Sequence, residues 1–227
     1  MSSLALVTGA SRGIGAATAV ALQPHYRLLL GGRDGRALEK QAAELRDARP
    51  WPVELTDFAA LAEAAAAIDR LDVLVHSAGV AEIGTVEEAP IDAWRRDYEV
   101  NVLAVVELTR LLLPALRAAG GHVVVINSGA GMNAKAGWGP YAASKFAARA
   151  FADTLRQEEE PHGVRVTSVF PGRTATEMQE AVTAAEGTEY RPEEYLRPES
   201  VAAAVLGAVT ATPDAHPTEV VVRPRRR

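Results

Sequence analysis

The sequence predicts an α/β fold in which a parallel sheet is covered by helices on both faces. Short, continuous apolar runs alternate along the chain with longer helical stretches, and strands that are buried on both faces have this uninterrupted apolar character. The first run also leads through a glycine-rich turn directly into a helical stretch. Seven such runs occur without a linker-like stretch or a repeat, so we expect one domain over residues 1–227 with a seven-stranded sheet.

Strands and helices alternate for most of the chain. The predicted strands are Leu4 to Val7, Leu28 to Leu30, Pro52 to Leu55, Leu71 to Val75, His122 to Asn127, Val164 to Phe170 and Glu219 to Val222. The predicted helices run from the glycine turn to about Gln23, from Asp34 to Ala48, from Thr56 or Asp57 to about Arg70, from Pro90 to about Ala119, from the segment of Tyr141 to about Glu160, and from Val201 to Thr210. Threonine and aspartate are good N-caps, and proline is tolerated in a first helical turn. The polar stretch at about 174–197 has little periodicity, so we expect a flexible lid or a short helical flap there.

The composition excludes several classes of function. The net charge is -5, with no acidic or basic block through the body of the chain, so no nucleic-acid surface is indicated. The absence of cysteine excludes disulfides, thiolate catalysis and cysteine zinc sites, and the five histidines lack ligand spacing, so we predict no metal site. No apolar segment resembles a signal peptide or approaches the roughly 20 residues of a membrane span. We therefore expect a cytoplasmic protein without nucleic-acid or membrane partners.

The turn after the first strand has the pattern of a phosphate-binding site. It reads Thr8-Gly9-Ala10-Ser11-Arg12-Gly13-Ile14-Gly15 and leads into an alanine-rich helix. Glycines let the backbone approach a pyrophosphate, and the helix N-terminus offers free N–H groups and the positive end of a dipole. Glycines also mark ordinary turns, but the strand before this turn and the helix after it favour a dinucleotide site.

Two arginines indicate which dinucleotide is bound. An acidic residue at the end of the second strand binds the 2′-hydroxyl of NAD, whereas an arginine accommodates the 2′-phosphate of NADP. Here Gly32 and Arg33 follow the strand, and Arg12 of the first turn is a second cation within reach. The alternative is that Asp34 turns inward and Arg33 is solvated. We predict NADP(H), with NAD(H) as the less favoured cofactor.

The segment from Ser128 to Lys145 contains the candidate chemistry. Tyr141 and Lys145 are four residues apart in a predicted helix, so the two side chains share one face. A cation beside a phenol lowers a pKa that is otherwise about 10, and Ser128 can donate a hydrogen bond to the same reacting oxygen. The alternative is an ordinary loop and helix start. Asn101 lies in an apolar stretch, either as a core amide bonded to its own backbone or as a site residue that fixes a water or kinks the helix.

Together these features resemble the short-chain dehydrogenase/reductase family over nearly the whole chain. The matching segments are Thr8-Gly9-x-x-x-Gly13-x-Gly15 for the cofactor turn, Asn101, Ser128, Tyr141 and Lys145 for the catalytic tetrad, Tyr141-Ala-Ala-Ser144-Lys145 for the active-site helix, and Pro171-Gly172-x-Thr174-x-Thr176 beside the nicotinamide. The resemblance departs at His76-Ser77, where the family has two asparagines, and at Glu54-Leu55, where aspartate precedes the apolar residue.

The resemblance implies a Rossmann-type doubly wound fold and reversible hydride transfer between a nicotinamide and a carbonyl or alcohol carbon. Tyr141 would be the general acid and base, and Ser128 a hydrogen-bond donor to the substrate oxygen. Lys145 would hold the nicotinamide ribose and lower the pKa of Tyr141, and Asn101 would position a water. The implied cofactor-binding residues are Gly9, Ser11, Arg12, Gly13, Ile14, Gly15, Arg33, Leu55, Ala78, Gly79, Asn101, Tyr141, Lys145, Pro171, Gly172, Thr174 and Thr176. The implied substrate-binding residues are Ser128, Trp138 and Tyr141.

Other interpretations stay open at the level of sequence. A non-catalytic dinucleotide sensor or scaffold on the same fold is the main alternative, and epimerisation or dehydration is a third. Trp138 favours a compact apolar or ring-containing substrate. Arg173 faces either an anionic substrate group, the cofactor or solvent. The resemblance also implies a homotetramer or homodimer formed through the long helices that contain Asn101 and Tyr141.

Overall fold

The computed structural model describes residues 3–225 as a parallel sheet with helices on both faces. The strands are β1 (Leu4–Thr8), β2 (Arg27–Gly32), β3 (Ala48–Pro52), β4 (Val73–His76), β5 (His122–Ile126), β6 (Arg165–Pro171) and β7 (Glu219–Val222). All seven are parallel and lie in the order β3-β2-β1-β4-β5-β6-β7. The prediction of a doubly wound, Rossmann-type sheet is confirmed.

Eight α-helices connect the strands in the described part of the chain. They are α1 (Gly13–Leu22), α2 (Gly35–Ala43), α3 (Phe58–Ala65), α4 (Ile91–Tyr98), α5 (Ala104–Ala119), α6 (Gly139–Glu159), α7 (Glu177–Ala185) and α8 (Pro198–Val209). None of these helices has the length and apolar character that a membrane crossing requires. The segment at about 174–197, called the flap below, contains α7 and a short 3₁₀ turn, Pro192–Glu194, so it is partly helical.

Each face of the sheet has its own apolar core. Successive residues of a strand point to opposite faces, so Leu6 and Leu74 pack with α3, α5 and α6, whereas Val7 and Val75 pack with α1, α2 and α8. This double coverage explains why the central strands are continuous apolar runs.

The third strand was predicted incorrectly. It runs over Ala48–Pro52 instead of Pro52 to Leu55, and α2 ends at Ala43 instead of Ala48. Proline is acceptable in β3 because this is an edge strand. The Val53 N–H donates to the Gly32 carbonyl at 2.9 Å, so by alternation Pro50 and Pro52 turn away from β2, where no N–H is needed.

The predicted long helix from Pro90 to about Ala119 is interrupted. A π-helical turn, Glu99–Leu103, separates α4 from α5 and has Asn101 at its centre. Such turns insert one residue into a helix and occur frequently at functional sites. The helix is therefore irregular around Asn101, and a kink or a fixed water at this residue stays a prediction.

Candidate active site

The candidate site lies at the carboxyl ends of β1, β4, β5 and β6. The strand order reverses between β1 and β4, and ligands of open α/β sheets bind in the crevice at this point. The Thr8 hydroxyl ties the two strand ends together, because it accepts hydrogen bonds from the N–H groups of Ser77 (3.1 Å) and Ala78 (3.2 Å). The cofactor turn and the segment that begins at Ala78 are thus held side by side.

The glycine turn forms a cradle that leaves no room for side chains. Gly9 has a φ of 66°, and a Cβ there would lie 2.8 Å from the Ala78 backbone. A Cβ on Gly15 would lie 2.2 Å from the Gly9 carbonyl oxygen. Within residues 3–225 no side chain caps the N-terminus of α1 at Arg12, so its first N–H groups are available to an anion. This arrangement fits the pyrophosphate of a dinucleotide.

The segment after β6 crosses the same turn. A Cβ on Gly13, which has a φ of 56°, would lie 3.3 Å from the Thr176 side chain. The Thr174 hydroxyl donates to the Gly172 carbonyl at 3.0 Å, which fixes the bend after Pro171. The structure therefore brings the two predicted cofactor segments together.

The two arginines near the adenosine end of the crevice are exposed and have acidic neighbours. Arg12 pairs with Glu177 of α7 at 2.5 Å, and Arg33 lies 3.9 Å from Glu54. Leu55 is buried in the core beside Trp51. Glu177 was not anticipated from the sequence, because the contact joins residues 165 positions apart.

The four predicted catalytic residues converge on the ends of β4 and β5. The Asn101 amide donates to Ser144 Oγ at 3.0 Å, and Ser144 donates in turn to the Tyr141 carbonyl at 2.8 Å. The Lys145 ammonium donates to the Ile126 carbonyl at 3.1 Å, next to Ser128 at the end of β5, and lies 5.7 Å from the centre of the Tyr141 ring. Tyr141, Asn101 and Lys145 are buried.

Asn127 fixes the start of the loop that begins at Ser128 and leads to α6, although no sequence motif indicated a role for it. Its side-chain N–H donates to the Lys145 carbonyl at 3.0 Å, and its Oδ1 accepts the Ser128 N–H at 2.8 Å. The last residue before the candidate serine is therefore tied to α6, which fixes Ser128 relative to Tyr141 and Lys145.

Burial controls the protonation of this group. It raises the pKa of Tyr141 to about 12, an effect that the Ser128 hydroxyl opposes and the charge of Asp97 reinforces. Burial lowers the pKa of Lys145 to about 8, against the charge of Asp97. The lowered pKa that was expected for Tyr141 is not found in the chain alone, because desolvation of the phenolate raises the pKa instead. Tyr141 is consequently protonated at neutral pH, as a proton donor must be.

His76 replaces the family's asparagine without taking part in the site. Its Nε2 lies 2.8 Å from the Thr109 hydroxyl, which itself donates to the Val105 carbonyl at 2.7 Å. Because the threonine has one hydroxyl proton, His76 must donate through Nε2. Burial lowers the pKa of His76 to about 3. This neutral histidine ties β4 to α5.

A cavity of about 780 Å³ lies between the loop before α6 and the segment after α7, and Tyr141 is not among the residues that line it. Trp138 lines it, and the Trp138 ring centre is 5.8 Å from that of Tyr141. Arg173 lines the same cavity, but its guanidinium donates to both oxygens of Glu186 at 2.6 Å. An arginine neutralised in this way is poorly suited to receive an anionic substrate group.

Comparison with known proteins agrees with this geometry. A model of the short chain dehydrogenase family matches residues 3–187. The chain belongs to the short-chain dehydrogenase family. Members of this family are oxidoreductases that use nicotinamide cofactors, and the chain has the nucleotide-binding Rossmann fold of the family.

Individual members show the extent of the likeness. The chain is 35% identical over 98% of its length to the glycine betaine reductase ATRR of Emericella nidulans, and 36% identical over 82% of its length to dehydrogenase/reductase SDR family member 7B of Bos taurus. It spans only 19% and 62% of the lengths of these two relatives. The alcohol dehydrogenase of Thermococcus sibiricus, solved with 5-hydroxy-NADP, superposes with a TM-score of 0.90 and 29% identity, covering 99% of this chain and 98% of that one.

Proposed function

We propose that this short-chain dehydrogenase is an NADP(H)-dependent oxidoreductase that interconverts a carbonyl and an alcohol, with Tyr141 as general acid and base. The observation that carries the proposal is the convergence of buried Tyr141, Lys145 and Asn101 with Ser128 at the end of β5. A dinucleotide sensor would have little need of all four polar groups in this arrangement. When bound, the nicotinamide supplies or accepts the hydride.

The side chains divide the remaining work. In the reducing direction Tyr141 gives its proton to the substrate oxygen, for which its raised pKa keeps the proton in place. Ser128 donates a hydrogen bond that strengthens as negative charge develops on that oxygen. Lys145 would hold the nicotinamide ribose, and Asn101 fixes the loop beside it through both of its hydrogen bonds to Val80.

The residues that would hold the cofactor surround the sheet's switch point. The glycine turn and the first N–H groups of α1 suit the pyrophosphate, and Arg12 and Arg33 suit a 2′-phosphate. Ala78 and Gly79 line the middle of the crevice, and the segment from Pro171 to Thr176 covers it. NADP(H) is further supported by the 5-hydroxy-NADP complex of the Thermococcus sibiricus enzyme.

We further propose that residues 174–197 act as a substrate lid on a single catalytic domain, and that the enzyme is a cytoplasmic homodimer or homotetramer. The exposed apolar side chains of Ile91, Tyr98, Leu103 and Phe146 lie on or next to α4, α5 and α6. These are the helices through which the family was expected to associate. A small-molecule carbonyl or alcohol is the proposed partner.

Oxidation of NADPH with a panel of ketones, aldehydes and quinones tests the proposal. The wild-type enzyme should turn over at least one of these compounds. Tyr141→Phe should lower kcat by at least about 100-fold, the lower end of general acid–base contributions, with little change in the Kd for NADPH. Wild-type turnover by Tyr141→Phe would disprove the mechanism, and cofactor binding without turnover on the whole panel would favour a sensor.

A further inference from the structure

Asp97 is a fully buried carboxylate that the catalytic roles above do not use. It lies on α4, one helical turn before Asn101. Within residues 3–225, its oxygens accept hydrogen bonds only from the main-chain N–H of Glu82, at 3.2 and 3.3 Å. A buried carboxylate is costly unless it is paired or strongly hydrogen-bonded, so its presence calls for a reason.

The reason is found in the loop that leaves β4. Asp97 binds the loop at Glu82, and Asn101 binds it at Val80 with both of its amide atoms. At the near end, a Cβ built on Gly79 would lie 3.7 Å from Lys145 Nζ and 3.1 Å from Asn101 Oδ1. Three polar side chains thus line one four-residue loop, with the carboxylate at one end and the ammonium at the other.

The buried ammonium of Lys145 is stabilised by an opposite charge nearby. Its ammonium is buried, and its one protein hydrogen bond within residues 3–225 goes to the neutral Ile126 carbonyl. Asp97 is the group whose charge stabilises the ammonium form of Lys145. Since α4 packs against α6, both charges lie near the same interface between helices, where water screens their attraction less than it does at the surface.

We propose that Asp97 is a positioning residue of the active site: its carboxylate anchors the loop Gly79–Glu82 and supplies the buried counter-charge of Lys145. The catalytic role of Asp97 rests on the proposed function, but the experiment that tests the counter-charge does not. Asp97 would act through the loop and through Lys145.

The protonation of the pair supports this assignment. Burial raises the pKa of Asp97 to about 7, with the Glu82 N–H, Lys145 and Arg96 opposing the rise and the Glu82 charge adding to it. The pKa of Lys145 is lowered to about 8. The charged groups that face Asp97 are thus Glu82 from the loop, Arg96 from α4 and Lys145 from α6, together with the neutral Tyr141. Both members of the pair are charged only between about pH 7 and 8.

NMR titration of lysine labelled with ¹³C at Cε tests the counter-charge directly. The chain has three lysines, Lys40, Lys135 and Lys145, so each signal can be assigned with one Lys→Arg variant. Asp97→Asn should lower the pKa of Lys145 by about one unit, because an opposite charge nearby shifts a pKa by roughly 1 to 3 units. Asp92→Asn is the matched control, since Asp92 is on the same helix but exposed and paired with Arg95.

The result that would overturn the proposal is an unchanged pKa of Lys145 in Asp97→Asn. If that variant does not fold, the wild-type titration decides instead: the Lys145 signal should show a second inflection near pH 7 from ionisation of Asp97, and a single-step titration contradicts the proposal. Neither measurement needs a substrate. An inactive wild type would therefore contradict only the proposed function. A Lys145 titration that does not respond to Asp97 would contradict only the role of Asp97.

Discussion

Trp138 donates its indole N–H to the carboxylate of Glu186 at 3.1 Å, which connects the loop before Tyr141 to the residue that ends α7. The same carboxylate accepts two bonds from Arg173, whose guanidinium lies over the Trp138 ring at 5.7 Å. The three side chains line one wall of the same cavity. The Glu186 carboxylate therefore connects the flap to the loop before Tyr141 by hydrogen bonds.

Removal of this connection should affect the substrate more than the cofactor. Glu186→Ala leaves Trp138 and Arg173 without their shared partner, and a hydrogen bond to a charged group contributes about 1.5 to 3 kcal/mol. We expect KM for a carbonyl substrate to rise about tenfold while the Kd for NADPH changes by less than about twofold. Steady-state kinetics and cofactor titration measure the two effects.

The control for this prediction is Glu180→Ala, which removes the same charge from an exposed position of α7. It should leave KM unchanged. A Glu186→Ala enzyme with the wild-type KM would show that the connection plays no part in shaping the cavity.

The glycine turn allows a prediction with a built-in comparison. Gly9 and Gly187 share a φ of 66°, but a Cβ on Gly9 would lie 2.8 Å from the Ala78 backbone, whereas a Cβ on Gly187 would meet nothing within 4 Å. Gly187→Ala should therefore lose only the roughly 1 to 2 kcal/mol of a left-handed residue. Gly9→Ala should lose more stability and weaken NADPH binding at least about tenfold, because β1 and β4 must move apart.

Urea unfolding and fluorescence titration with NADPH measure these two losses. Equal losses of stability in the two variants, with NADPH binding retained by Gly9→Ala, would contradict the close packing of the cradle.

The sequence predicted the parts of this structure that depend on local pattern. The central strands are continuous apolar runs, and the glycine turn has a fixed spacing, so the doubly wound sheet followed directly. The bounds of the edge strand β3 were predicted incorrectly because Pro50 and Pro52 indicate a turn. Prolines are compatible with a strand at the edge of a sheet, but the sequence alone does not show which strand lies at the edge. The helix around Asn101 was correct in position, but its π-helical turn depends on contacts with Val80 and Ser144 that no local pattern contains.

The burial of polar and charged side chains was the property hardest to predict from the sequence. The spacing of Tyr141 and Lys145 correctly indicated a shared helix face, and from it a lowered tyrosine pKa was inferred. The structure gives the opposite direction because both groups are buried. Asp97 and Glu186 were missed for a related reason, since an acidic residue in a charged helix gives no sign that it faces inward.

Selectivity for NADP should depend on Arg33. Arg33→Ala removes a guanidinium suited to a 2′-phosphate, and charge-assisted bonds of this kind are roughly twice as strong as neutral ones. We expect the Kd for NADPH to rise about tenfold and the Kd for NADH to stay the same. Binding titrations of both cofactors at low and high salt measure this, and the loss should be smaller at high salt because the site is exposed.

Arg46→Ala is the control, because Arg46 is an exposed arginine at the opposite end of β3. Glu54→Gln should strengthen NADPH binding slightly, since it removes the carboxylate 3.9 Å from Arg33. An equal loss of NADH and NADPH binding in Arg33→Ala would assign Arg33 to another part of the cofactor.

His76 should make the enzyme sensitive to mild acid. In the folded chain the pKa of His76 is about 3 instead of 6.5. Between these two pH values, His76 binds a proton in the unfolded chain but not in the folded chain. The contribution of His76 is therefore present above about pH 6.5 and is lost as the pH falls towards 3. Between pH 7 and 5 this costs about 2 kcal/mol of unfolding free energy.

His76→Asn should abolish that part of the pH dependence, and urea unfolding of wild type and variant at pH 7 and pH 5 measures it. The variant should be less stable at pH 7 but lose about 2 kcal/mol less than the wild type on acidification. Thr109→Val is the matched control, because it removes the hydrogen-bond partner of His76 at 2.8 Å but keeps the buried imidazole. It should be destabilised at both pH values with the wild-type difference between them. If His76→Asn shows that same difference, His76 takes up its proton in the folded enzyme as readily as in the unfolded one.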